Sequence, residues 1–208
     1  MKTLKISTLV FMAIILNGVA IAQNVKVVSG NLNFLKGQST LKVEYDYGNG
    51  DMDVGRYENE SDYIKDKIKE KNEKEPGSGD AWYEAWVSNR KERFQPKFEE
   101  SVNIKLENSG LIICSDCEDA EFTMILKTHS TEPGFNVGIT RRPAWISVEI
   151  IFVETKNPNI ELSKIKIEKA VQRKNAGGFD FDVAYRIENA YWNCGEKLGK
   201  FLVKNALK

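Results

Sequence analysis

The sequence predicts an α/β protein of the α+β type: a mixed, largely antiparallel sheet with helices packed on it and a long C-terminal helix. Three observations predict it. Segments 121–128, 144–155 and 162–172 ("EFTMILKT", "AWISVEIIFVET", "LSKIKIEKAVQ") are rich in β-branched and aromatic residues, the composition of strands on a pleated, half-buried surface. From 180 to 208 a single apolar stripe runs through Val183, Ile187, Ala190, Cys194, Leu198, Leu202 and Ala206; steps of three and four residues are helical. That stripe needs an apolar surface to lie on, and the preceding strands supply it. No repeat of 20 to 50 residues is visible, which excludes solenoids and propellers.

Taken in order, the chain opens with Lys2 and Lys5, an apolar run from Leu9 to Leu16, and Ala20-Ile21-Ala22. This is the layout of a cleavable secretory leader over residues 1–22, and the run is short for a membrane span of roughly 20 residues. Position 23 is Gln rather than the cysteine of a lipoprotein, so the expected product is exported to the periplasm or beyond and not lipid-anchored. Residues 23–208 suffice for one globular domain. No later stretch is long and apolar enough to cross a bilayer. Lys and Arg together number 30, as do Asp and Glu; without a basic excess to neutralise phosphates, nucleic-acid binding is not expected.

Leu41, Val43, Tyr45 and Tyr47 alternate with Lys42, Glu44 and Asp46, a strand with one buried face. "VKVV" and "LNF" before it read as shorter strand segments. Segment 61–75 is a charged surface helix capped by Asn59 or Ser61. "PGSGD" breaks it, and Asp80 can cap a second helix carrying Trp82 and Trp86 on one face. Phe94, Phe98 and Val102 continue at four-residue steps, but Pro96 interrupts, so this helix should end near Phe94, kink and restart at Pro96. These rings read as the helix's core face. Strands at 111–114, 121–128, 144–155 and 162–172 follow, with "KNPN" as a tight turn before the last and a long loop, "HSTEPGFNVGITRRP", after the second.

This order of elements resembles that of small envelope α/β domains such as the amino-terminal domain of TolB and the curli-secretion accessory lipoproteins. The likeness covers roughly residues 105–207, from the strand leading into "CEDAEFTMILKT" to the closing helix ending "CGEKLGKFLVKNAL". It implies a docking or assembly module without catalytic residues. The missing lipid-anchor cysteine and the proline-interrupted tryptophan helix depart from the pattern. The phrasing also resembles a class of small secreted bacterial proteins, which implies a fold and no function.

Four motifs bear on chemistry. Cys114 and Cys117 form a Cys-x-x-Cys between strands, crowded by Asp116, Glu118, Asp119 and Glu121. Lacking a following helix, the motif is unsuited to thiolate chemistry, and only Cys194 and His129 could complete a zinc site. A structural disulfide between Cys114 and Cys117 is expected, with Cys194 pairing to one of them as the alternative. Asn49, Asp51, Asp53 and Glu60 occupy places one, three, five and twelve of a calcium-loop frame, but Val54 stands where the frame needs glycine. In the long loop, Gly134 and Gly138 make the chain mobile, Phe135 is its expected apolar tip, and Arg141 and Arg142 offer charge, a combination suited to an acidic partner. His129 is the single histidine, and no G-x-S-x-G elbow accompanies it.

The expectation that follows is an exported, non-catalytic interaction module whose partner is a protein of the cell envelope, contacted through Phe135, Arg141 and Arg142, with no cofactor. A small-ligand or glycan-binding protein using Trp82, Trp86 or Trp145 is the alternative, and a hydrolase using His129 a further one.

Overall fold

The computed structural model describes residues 25–173 and 180–207; the leader expected over residues 1–22 lies outside them. The elements are β1 (Val25–Gly30), β2 (Thr40–Asp46), β3 (Asp53–Val54), α1 (Glu60–Lys74), α2 (Ser78–Asn89), α3 (Gln95–Leu106), β4 (Ile112–Cys114), β5 (Phe122–Glu132), β6 (Phe135–Asn136), β7 (Arg141–Arg142), β8 (Trp145–Glu154), β9 (Asn157–Val171) and α4 (Val183–Asn205). Seven strands form one mixed sheet in the order β1-β9-β8-β5-β2-β4, with β3 pairing β5 beyond the end of β2. The β1–β9, β9–β8 and β8–β5 pairs are antiparallel, and β2 runs parallel to both β5 and β4. Parallel neighbours need a crossover of a dozen residues or more, which the helical segment α1–α3 supplies.

Every helical layer covers the same face. Met124, Leu126, Ile146, Val148, Ile150, Phe152, Ile165 and Ile167 point into it and are fully buried, joined by Leu41 and Val43 of β2. The other face carries charge in rows across the strands: Asp46 opposite Lys127, Lys127 opposite Glu149, Glu149 opposite Lys166. Lys166 and Glu149 are 2.7 Å apart, Lys127 and Asp46 3.9 Å. Such alternation of signs supports a solvated antiparallel face without presenting an apolar patch.

The helices follow their local signals, with one of two offered caps selected and two corrections. Asn59, not Ser61, caps α1, its side chain accepting from the Asp62 N–H at 2.8 Å. Gly77 precedes α2, and Asp80 lies inside its first turn, where an acid favours the helix dipole. Between α2 and α3 the backbone does not break at Pro96 but widens into a π-helical turn over Arg90–Phe94, leaving Pro96 in the first turn of α3. A wider turn removes the clash between the proline ring and the preceding carbonyls. Upstream, "LNF" is not the strand segment expected: Asn33–Leu35 form a 3-10 turn after Leu32, which buries Leu32 and Leu35 three residues apart. The turn expected at "KNPN" is tighter and earlier: β8 ends at Glu154 and β9 begins at Asn157. Pro158 sits at the start of β9, where a missing donor is tolerated.

α4 is the central helix. Its expected stripe is buried from Ile187 to Ala206, and a second buried flank, Tyr191, Gly195 and Gly199, meets α3. The Tyr191 hydroxyl bonds Thr128 Oγ1 at 2.7 Å, tying α4 to β5, and the Tyr191 ring stacks on Phe94 from the π turn at 5.3 Å.

The charge pairs give this fold an acid limit. The Lys166 ammonium holds the Glu149 carboxyl below its ordinary range, Ser29 and Lys164 do the same for Glu161, and Lys67 and Lys74 push Glu70 down to about 2. Burial raises Glu196, but Lys200 and Lys105 outweigh it. Each of these groups binds its proton more weakly folded than unfolded. The stability they contribute is therefore present above the unfolded glutamate value of about 4.3 and lost as pH falls below it. Tm should fall as pH drops from about 4.5 toward 2, more shallowly in Glu149→Gln. A Tm that stays level across that window would contradict the assignment.

Candidate functional site

The long loop after β5 is an ordered hairpin. Phe135 pairs with Arg142 and Asn136 with Arg141, closing a four-residue turn over Val137–Thr140. The Val137 N–H bonds the Thr140 carbonyl at 3.1 Å, and the Asn136 side chain accepts from the Gly138 N–H at 2.9 Å. Gly138 has φ +83°, a left-handed turn position that suits glycine. At the base, Gly134 has φ +62°, and a Cβ there would meet the Arg142 carbonyl. Ile139 is 100% exposed and Val137 69% exposed.

Two residues that the sequence reading did not single out brace this hairpin. Asp180 receives the Arg141 guanidinium at 3.0 Å, the Asn136 amide at 3.0 Å and the Gln172 amide at 2.6 Å. Arg186, 4% exposed, donates to the carbonyls of Pro133 (3.1 Å), Gly134 (3.1 Å) and Asp180 (2.6 Å). The signal for Arg186 was present: it stands three residues after Val183, on the apolar stripe of α4, where a charge needs a structural reason. Asp180 carried no local pattern.

The structure therefore brings Phe135, Arg141 and Arg142 together but distributes their roles differently. Phe135 is not the tip; it lies at the hairpin base, with the Arg142 guanidinium 5.7 Å from its ring centre. Arg142 also faces Glu132 at 3.5 Å. The apolar tip is Val137 and Ile139, and the two arginines flank its stem.

The other candidates separate. Glu60 is 2% exposed, and its carboxylate accepts from Trp86 Nε1 at 2.6 Å and from Arg90. It is committed to the core, and among the described residues Asp51, Asp53 and Glu60 do not converge on a common metal position. Asn49, Asp51 and Asp53 instead lie in and after a 3-10 turn at Gly48–Gly50. Trp86 is buried and stacked on Trp82 at 5.6 Å, which removes it as a ligand platform. Trp82 is partly exposed, and Trp145 lies in β8 with Lys169 Nζ 5.4 Å from its ring. His129 is on the charged face of the sheet, 3.9 Å from Glu168, its Nε2 without a hydrogen bond among the described residues.

Cys114 and Cys117 are joined by a disulfide, their Cα atoms 5.5 Å apart. It staples the connection from β4 to β5. Cys194 is buried and free, and burial pushes its thiol up to about 12. The native protein is expected to show no thiol reactive to an aromatic disulfide reagent at pH 8, and one after denaturation without reductant. Three thiols on denaturation would contradict the Cys114–Cys117 bond.

No protein-family model matches the chain, and no curated protein matches it. Two solved structures of the PelC dodecamer from Paraburkholderia phytofirmans, one of them a single-substitution variant, are similar at TM-scores of 0.34 and 0.35. Each is 10% identical, and the match covers 81% of this chain and 96% of that chain. So distant a likeness carries no argument about function. Among the described residues no helix is long and apolar enough to cross a membrane.

Proposed function

We propose that this is an exported, non-catalytic docking module that holds a protein of the cell envelope through the β6–β7 hairpin. The observation that carries the reading is the pairing of an exposed apolar tip, Val137 and Ile139, with a base locked by Asp180 and Arg186. Exposed aliphatic side chains at a turn contribute nothing to this protein's own core. Holding the stem rigid lowers the entropy lost when a partner covers the tip. Arg141 and Arg142 beside it favour a partner with acidic groups at the rim of the contact.

The test is a cross-linking pull-down of the protein lacking residues 1–22 from its native envelope. The unaltered protein should recover one partner near one-to-one. Ile139→Asp should lower that recovery by about tenfold or more while leaving Tm unchanged, because central apolar anchors dominate interfaces. Equal recovery by Ile139→Asp would remove the hairpin from the proposal.

A further inference from the structure

Beside the hairpin base lies a groove of about 490 Å³ between the turn after β3, helices α1 and α2, and the start of α4. Its size is that of a small-ligand or side-chain site. Tyr57, Trp82 and Phe135 supply ring surface, and Arg56, Lys71 and Arg186 supply positive charge. None of these three cations has a carboxylate oxygen within 4.0 Å among the described residues. Arg56 donates to the Tyr57 hydroxyl at 3.1 Å, and all three acceptors of Arg186 are neutral carbonyls. The Asp180 and Asp182 carboxylates attract Arg186 from nearby without contacting its guanidinium, so the unanswered positive charge on the groove side is carried by Lys71 and Arg56. One of the groove's two remaining charged side chains, Lys67, is answered by Glu70 at 2.6 Å, and the other, Glu132, is turned to Arg142.

We infer that this groove is a second binding site, which takes an acidic peptide segment: a carboxylate set against Lys71 and Arg56, and a neighbouring apolar side chain against Tyr57 and Trp82. A glycan fits less well. Sugar hydroxyls are held by amide and carboxylate acceptors, and the lining has no Asn, Gln or Asp and only the one occupied Glu. The groove shares Gly134 and Phe135 with the hairpin base, so a segment of the same partner reaches it; in that respect the inference rests on the docking reading above.

The experiment is fluorescence anisotropy with labelled heptapeptides carrying two or three Asp or Glu residues around one Phe or Leu, compared with the same peptides carrying Asn and Gln. Oligogalacturonate serves as an unlabelled competitor. Acidic peptides should bind at least about tenfold more tightly than their amide counterparts, with affinity falling as salt rises. Lys71→Glu combined with Arg56→Glu, two changes outside the core, should abolish the preference, and Ile139→Asp should leave it intact. Equal binding of acidic and amide peptides, no binding of either, or preferential displacement by oligogalacturonate would each overturn the acidic-peptide site. Loss of the groove's preference with an Ile139-dependent pull-down would leave the hairpin reading standing, and the reverse pattern would leave the groove alone.

Discussion

Gly195→Ala is expected to destabilise this protein by about 2–3 kcal/mol, although alanine is the better helix former by about 1 kcal/mol. The reason is the approach of α4 to α3. A Cβ at position 195 would sit 2.5 Å from the Phe98 carbonyl and also strike Ser101 Oγ, and at Gly199 it would sit 2.6 Å from Lys105 Cβ. The Ser101 hydroxyl could turn away, but the Phe98 carbonyl is helix backbone and can yield only if the helices part. Parting them would loosen the packing around Tyr191, Phe98 and Val102, which are fully buried. Gly195→Val should cost more still. Denaturant unfolding checks this directly, and a gain in stability for Gly195→Ala would show that the helices do not pack this closely.

The second large effect is at Glu60. Its buried carboxylate joins three elements: Trp86 of α2 donates to it, Arg90 of the π turn pairs with it, and Arg90 in turn lies 4.4 Å from the centre of the Tyr47 ring. Glu60→Ala strands a guanidinium and an indole N–H together, at a cost of about 3 kcal/mol or more. Removing both charges is expected to be milder. In Glu60→Leu with Arg90→Met no charge is left uncompensated, so the double change should cost clearly less than the two single changes added, as a thermodynamic cycle measures. Strict additivity would mean that Arg90 is solvated well enough not to need Glu60.

Much of this architecture was legible in the chain, for identifiable reasons. The stripe of α4 and the strand composition of β5, β8 and β9 are local patterns and were read correctly. The parallel placement of β2 beside β5 was not, because Val43 and Met124 are partners across a long helical excursion that no local pattern records. Pro96 signalled an irregularity, but whether the chain kinks or widens depends on the fit of Phe94 against Tyr191. The close approach at Gly195 has no local signal, since its meaning lies in what α3 places opposite it. At the hairpin, sequence pointed to the right loop and to Arg141 and Arg142. It placed the apolar tip at Phe135 because aromatic side chains stand out, whereas the backbone puts Ile139 at the turn. Asp180 acts through contacts with Asn136 and Arg141 far away in the chain and left no local pattern, whereas Arg186 was visible as a charge on the apolar stripe although its acceptors at Pro133 and Gly134 were not.

The most direct test of the docking account places a photo-cross-linker at the tip. Ile139→p-benzoylphenylalanine, irradiated in the native envelope, should yield one discrete cross-linked protein. The same replacement at Ile104, exposed on α3, should yield none. Equal cross-linking from both positions, or none from 139, would contradict the hairpin as the docking element.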